Sequence, residues 1–346
     1  MAIVGIETLV YSVDDFDTST RFFEDYGLPL INRDDIHKVA RFQLAEGSNV
    51  YIRKHDDPWF QNSKMVGNGV RECIWGVDTQ ESLQRLTDNL AKDHELKQDA
   101  DGTIRFVTAF GQAIGLKVWT KQPVFSHPSL TNSPGRHQRI NETVKWHRRA
   151  IPKSIQHVVW GYKDVNETLL FYRDRLNFRL VDLQIGSGVY IRADGATDHH
   201  NMFIADANNP ALGFACEHAF HHANFGVESI DELMTGKNYM ERRGWPKSTW
   251  GLGRHRISSG AFLYLHCPAG GEAEYGTDID VLDDRWQPRV WEQFFGFHIY
   301  VHNLPEFVMH EIEWNMGFCS PDTLYPTGDT PGAAASAPVQ ELVSNS

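Results

Sequence analysis

Three stretches in the second half of the chain each offer one side chain able to hold a metal ion: His157 in IQHVVW, His222 in FHHANFGV and Glu274 in GGEAEYGTDID. The β-branched and aromatic residues around them read as strands. Successive strand residues face opposite sides, so each stretch can direct one of these side chains into a shared interior. By the same rule only one of the neighbours His221 and His222 is expected to address that interior. Two neutral imidazoles and one carboxylate form a donor set suited to divalent iron, with coordination positions left open for chemistry. Singly, each residue has an ordinary role, as a satisfied core histidine or a solvated acid. The case for a site therefore rests on the elements that would bring them together.

Those elements are repeated. Residues 6–31, IETLVYSVDDFDTSTRFFEDYGLPLI, lie over residues 155–181, IQHVVWGYKDVNETLLFYRDRLNFRLV, each reading strand, acidic turn, amphipathic helix, strand. VYIR recurs at 50–53 and 189–192, and RECIWGVDTQESL from Arg71 resembles HHANFGVESIDEL from His221. The expectation is an α+β protein of paired βαβββ modules forming curved mixed sheets, duplicated into two domains. Its parts are a first domain at 1–122, a connector at 123–149, a second domain at 150–300, an extension at 301–325 and a disordered tail at 326–346. Helices such as the one expected within Asp78–Asp93 pack their apolar face on the sheets. The overlay sets Thr8 opposite His157, Glu72 opposite His222 and Gly115–Lys117 opposite Glu274, so the first half lacks a matching ligand set.

The 346 residues, 41% of them hydrophobic, can fill two cores. A net charge of -12 argues against nucleic-acid and anionic-membrane partners. No apolar run reaches bilayer length. The opening residues do not read as a signal segment, and four dispersed cysteines suggest neither disulfides nor a thiolate metal site. A cytoplasmic protein is expected.

Residues 253–276, GRHRISSGAFLYLHCPAGGEAEYG, carry a histidine, a tyrosine, a proline-glycine turn and a glutamate in order and spacing. Over roughly residues 5–300 the chain resembles the vicinal oxygen chelate (glyoxalase-like) superfamily, and within it the two-domain type I extradiol ring-cleavage dioxygenases. The resemblance implies that His157, His222 and Glu274 bind Fe(II), with Mn(II) as the less common occupant, and that the first half has lost its metal. It further assigns His200 as acid/base, His255 to the oxygen and substrate pocket and Tyr264 as a hydrogen-bond partner of the substrate oxygen. The implied reaction inserts both atoms of O2 into a small aromatic diol or triol and opens the ring beside the hydroxyls. His200 would move the substrate proton, and His255 and Tyr264 would hold developing oxygen anions by hydrogen bonds.

Trp160, Phe203, Trp245, Trp250 and Phe262 are candidate pocket aromatics. Trp245 and Trp250 would narrow the site toward a small monocycle, while biaryl, carboxylated and trihydroxylated rings stay open. Two other readings remain at this stage: an oxygen-independent metal-dependent isomerase or lyase of the same superfamily, and a non-enzymatic module that binds aromatic compounds. No G-x-G-x-x-G or G-x-x-x-x-G-K-[ST] pattern supports nucleotide chemistry. The paired modules suggest a homo-oligomer.

Overall fold

The computed structural model describes residues 2–326 other than 61–62, 215–217, 311 and 313. Four βαβββ units follow one another. The first runs β1 (Ile3–Val13), α1 (Phe16–Tyr26), β2 (Leu30–Asp34), β3 (Val39–Gln43) and β4 (Asn49–Lys54). The second runs β5 (Gly69–Val77), α2 (Gln80–Leu90), β6 (Lys97–Gln98), β7 (Ile104–Val107) and β8 (Ala113–Val118). The third comprises β9 (Ser154–Tyr162), α3 (Val165–Leu176), β10 (Arg179–Gln184), β11 (Gly188–Arg192) and β12 (Met202–Asp206). The fourth comprises β13 (His218–Gly226), α4 (Ile230–Arg242), β14 (Gly253–Arg254), β15 (Ala261–His266) and β16 (Glu272–Thr277). The expected α+β fold of paired modules in mixed sheets is present.

Each half is one sheet with the same plan. β1 pairs parallel with β4 and antiparallel with β5, which pairs parallel with β8. β9 repeats this with β12, β13 and β16. Three short strands extend the second sheet: β17 (Arg289–Trp291), β18 (Tyr300–Val301) and β19 (Met316–Phe318). Residues after 300 are thus stitched to the second half, and Tyr325 exchanges backbone contacts with the Asn166 side chain. The tail expected from residue 326 lies outside the described residues apart from Pro326.

Local chemistry explains the helix ends. Asp15, Asp164 and Ser229 accept a hydrogen bond from the backbone N–H three residues on, and Thr79 does the same for α2, which fills only part of the Asp78–Asp93 span. At the C-termini of α1 and α3, Gly27 (φ 106°) and Asn177 (φ 58°) occupy equivalent left-handed positions. Gly27 is also required by space, since a Cβ there would lie 2.2 Å from the Ala150 carbonyl oxygen.

One hydrophobic core runs through both halves. Tyr26 stacks on Tyr275 with ring centroids 4.0 Å apart, and the Tyr275 hydroxyl donates to the Tyr26 carbonyl at 2.6 Å. Trp160 donates to the Val70 carbonyl and the Ile155 N–H to Glu46. These pairs satisfy polar groups that burial would otherwise penalise. Among the described residues no helix is long and apolar enough to cross a membrane.

The connector is held by Glu228, whose carboxylate accepts from Lys145 (2.5 Å), Lys153 (3.0 Å) and the His127 N–H (3.1 Å). Against the upward push of burial, the hydrogen bonds from the two lysines draw its pKa down to about 2. An unfolded glutamate titrates near about 4.3. The stabilisation is therefore complete above that pH and is lost as pH falls through the folded value. We expect Glu228→Gln to cost about 1–3 kcal/mol at pH 7. In urea denaturation the gap between variant and parent should close as pH drops from about 4.5 toward 2; a pH-independent gap would refute this account.

Candidate metal centre and its cavity

β9, β13 and β16 lie side by side, with β13 between the other two. Asn224 of β13 is opposite both His157 and Glu274, and His222, two residues earlier, is opposite Val159. His157, His222 and Glu274 therefore share one face of three neighbouring strands. His157 Nε2 and His222 Nε2 are 3.3 Å apart, and each is 3.2 Å from Glu274 Oε2. Donors bound to one ion at about 2.0–2.2 Å have such mutual distances. Among the described residues this is the only cluster of histidine, cysteine and carboxylate groups that converges in this way.

The donor set also calls for a cation. All three side chains are buried, and Glu274 Oε2 has no hydrogen-bond donor despite its closeness to the imidazoles. A buried carboxylate oxygen with no donor is costly unless a positive charge faces it. Burial would raise the Glu274 carboxyl, but the two imidazoles outweigh it and hold the group well below its ordinary value. Burial pushes His157 down, keeping it neutral and able to donate a lone pair. These residues fit a divalent metal.

His221 departs from simple alternation. A bulge between Phe220 and His222 in the pairing with β9 turns both histidines toward the cavity. His222 alone reaches the donor cluster, while His221 Nδ1 lies 2.7 Å from His222 Nδ1 and fixes that ring from behind.

The cluster opens into a cavity of about 100 Å³ whose lining includes Tyr190, Phe203, Phe214, Trp250 and Phe297. A second space of about 130 Å³ shares Trp250 and Phe297 with it and continues to Phe294 and Phe307. Of the aromatics expected from sequence, Phe203 and Trp250 line the cavity and Phe262 stacks on His255 at 4.0 Å. Trp160 is fully buried core. Trp245 points to the first half, where it donates to Asp25 and packs on Phe22, so it does not narrow the cavity. Tyr190, Phe214 and Phe297 were not legible, because an aromatic residue in a strand or loop gives no sign of which surface it covers.

His200, His255 and Tyr264 all lie on this cavity. The His200 ring stacks on His157 at 4.2 Å and edges onto Tyr190 at 5.0 Å. Burial, with His157 and His199 nearby, holds its pKa well below the ordinary imidazole value. His255 Nδ1 is 2.6 Å from the Phe297 carbonyl oxygen, an acceptor only, so Nδ1 carries the proton and Nε2 is bare. The Tyr264 hydroxyl, 3.3 Å away, donates to that lone pair. Burial lowers His255 to about 4, and burial together with Glu274 raises the Tyr264 phenol well above its usual range. A wider cleft of about 480 Å³ lies in the first half, lined by Trp59, Glu72 and Arg105. Its central charges are already paired, Arg105 with Glu72 and Asp99.

Comparisons with known proteins identify relatives in sequence and in fold. The sequence profile of the Glyoxalase/Bleomycin resistance protein/Dioxygenase superfamily matches residues 154–255, which hold two of the three donors. The chain is 32% identical to Metapyrocatechase 2 of Cupriavidus necator over 283 residues, 81% of this chain and 83% of that one. In fold it is similar to a Mn(II)-bound glyoxalase from Novosphingobium aromaticivorans (TM-score 0.68, 18% identity, covering 90% of this chain and 96% of that one). It is also similar to 2,2',3-trihydroxybiphenyl 1,2-dioxygenase from Sphingomonas wittichii (TM-score 0.66, 18% identity, covering 88% and 100%).

Replacing a donor removes a ligand and, at Glu274, the only negative charge of the cluster. His157→Ala and Glu274→Ala are each expected to weaken divalent-metal binding by at least about 100-fold with circular dichroism unchanged. Metal analysis after reconstitution and desalting reads this directly, and near-full occupancy in both variants would remove the assignment.

Proposed function

The chain belongs to the glyoxalase/bleomycin resistance protein/dioxygenase superfamily and, within it, to the two-domain extradiol dioxygenases, and from this premise we propose that it opens a neutral catechol-type ring with Fe(II) and O2. The observation that carries the reading is the convergence of His157, His222 and Glu274 at the base of an aromatic-lined cavity that also holds His200 and Tyr264. Mn(II) suits the same donors. A bound metal would supply a redox-active Lewis acid for the chemistry between the diol and O2.

The chain's own residues do the rest. His157, His222 and Glu274 would hold the ion, and the adjoining cavity would be open to substrate and oxygen. Buried and neutral, His200 accepts a substrate proton and later returns it during ring opening. Tyr264 and His255 hold one proton between them at the cavity wall, available to an oxygen that gains negative charge. Tyr190, Phe203, Trp250 and Phe297 exclude water and position the ring.

The lining supports a substrate class. It contains no lysine or arginine among the described residues, so a ring carboxylate would meet no permanently positive partner there. The second space, between Trp250, Phe294, Phe297 and Phe307, suits an apolar substituent on the diol. The name of the curated relative, a metapyrocatechase, is in keeping with such a diol. Residues 1–122 serve in this proposal as a metal-free structural domain and 150–300 as the catalytic one, in a cytoplasmic homo-oligomer.

An oxygen-independent isomerase or lyase is the second reading, favoured by the fold likeness to a glyoxalase. Oxygen uptake by the Fe(II)-reconstituted protein separates the two. Catechol and alkyl- or aryl-substituted catechols should consume O2 in step with ring-opened product, and a carboxylated catechol should show roughly 100-fold lower kcat/KM, the cost of an unpaired buried charge. A protein inert to O2 with every diol and triol would favour the second reading, and preference for the carboxylated ring would overturn the substrate class.

A further inference from the structure

Behind His200 lies a chain of buried groups that the reaction as outlined does not use. Asp182 on β10 and His199 are both fully buried. His199 Nε2 is 2.9 Å from Asp182 Oδ2, and its Nδ1 is 3.1 Å from His200 Nδ1. The other carboxylate oxygen of Asp182 accepts the Arg289 N–H at 3.2 Å. Among the described residues His200 Nε2 has no protein partner, and the ring lines the cavity.

Donor and acceptor rules leave one consistent arrangement for two neutral imidazoles. A carboxylate can only accept, so His199 Nε2 carries a proton and donates it to Asp182. His199 Nδ1 is then a lone pair, and His200 Nδ1 must carry the proton that fills it. His200 Nε2 is therefore bare on the cavity side. We propose that Asp182 and His199 are positioning residues that hold His200 in the tautomer with a free Nε2 lone pair, ready to take the substrate proton. The inference rests on the acid/base reading of His200. It assigns to a remote carboxylate the choice of which ring nitrogen meets the substrate, since the bond made by one nitrogen fixes the state of the other.

Asp182→Asn tests the chain with a defined outcome. The Arg289 N–H keeps the amide oxygen on its side, so the amide NH2 faces His199 and donates to Nε2. Every proton in the chain then reverses, and His200 presents an N–H where the lone pair stood.

The full chain, Zn(II)-loaded and labelled with nitrogen-15 at histidine, should show His200 protonated at Nδ1 and bare at Nε2, with its signals assigned by their loss in His200→Phe. In Asp182→Asn the proton should move to Nε2. Fe(II)-reconstituted Asp182→Asn should lose about 10²–10⁴-fold in kcat, with metal content and KM nearly unchanged. Added to His200→Phe, it should cause no further loss. A parent His200 protonated at Nε2 overturns the inference even if the variant does not fold, as does wild-type turnover by Asp182→Asn while His200→Phe is inactive. Full turnover by His200→Phe would instead remove the acid/base reading, and the relay's catalytic purpose with it.

Discussion

The register of three adjacent strands is the constraint on which the site depends. His157 and Glu274 come from strands that never pair with each other, and they meet because both are set against Asn224 of the strand between them. Side chains alternate along a strand, so a slip of one residue in either pairing would send a donor to the opposite face. The opposite face is not a neutral place for it. Trp160 and Tyr275, one residue or more removed from the donors on their strands, are buried in the core shared with the first half. A slip would bury a carboxylate and an imidazole among apolar groups and expose these aromatics. Packing between the halves thus enforces the register that the donors need.

The first half shows what the same framework does without a metal. Thr8 is opposite Ile74 as His157 is opposite Asn224, and Glu72 is opposite Val10 as His222 is opposite Val159. Gly115 stands where Glu274 stands, and Arg105, opposite Gly115, takes the place that Tyr264 takes beside Glu274. Glu72 is the one carboxylate among these positions, and the Arg105 guanidinium is ion-paired to it. Trp59 covers that guanidinium at 4.1 Å and donates its indole N–H to Glu72. In both halves a buried carboxylate on the same face needs a positive charge. The first supplies one from its own chain, whereas Glu274 has the His157 and His222 imidazoles beside it and no lysine or arginine paired to it among the described residues.

Much of this was legible in the sequence because duplication offers an internal control. The acidic turns at Asp15 and Asp164 mark equivalent places, and strand patterning made His157, His222 and Glu274 candidates that the family resemblance assigned as a ligand set. What could not be read depends on contacts between distant segments. The bulge that turns His221 inward is a property of pairing with β9, and no local preference encodes it. Trp245 looked like a pocket aromatic because it sits near Trp250 in sequence, yet the first half offers it Phe22 and an acceptor on Asp25. Asp182 carried no signal, since an isolated aspartate in an apolar strand shows its meaning only once His199 is found against it.

Burial gives these parts a common logic. A low-dielectric cavity strengthens each interaction made inside it and raises the cost of each polar group left unmatched. Several titratable side chains near the cavity accordingly have a partner that specifies their proton. The Phe297 carbonyl sets His255, which in turn takes the Tyr264 hydroxyl proton, and His221 backs His222. His200 differs because the imidazole beside it is itself pinned by a buried carboxylate, so it accepts or donates according to what lies behind it. A neutral hydroxyl in place of His199 could rotate and serve either tautomer, whereas an imidazole pinned by a buried carboxylate cannot. Rigid specification of one proton is useful where the reacting group must be a base on arrival of substrate, and the walls that exclude water leave no solvent to correct a wrong tautomer.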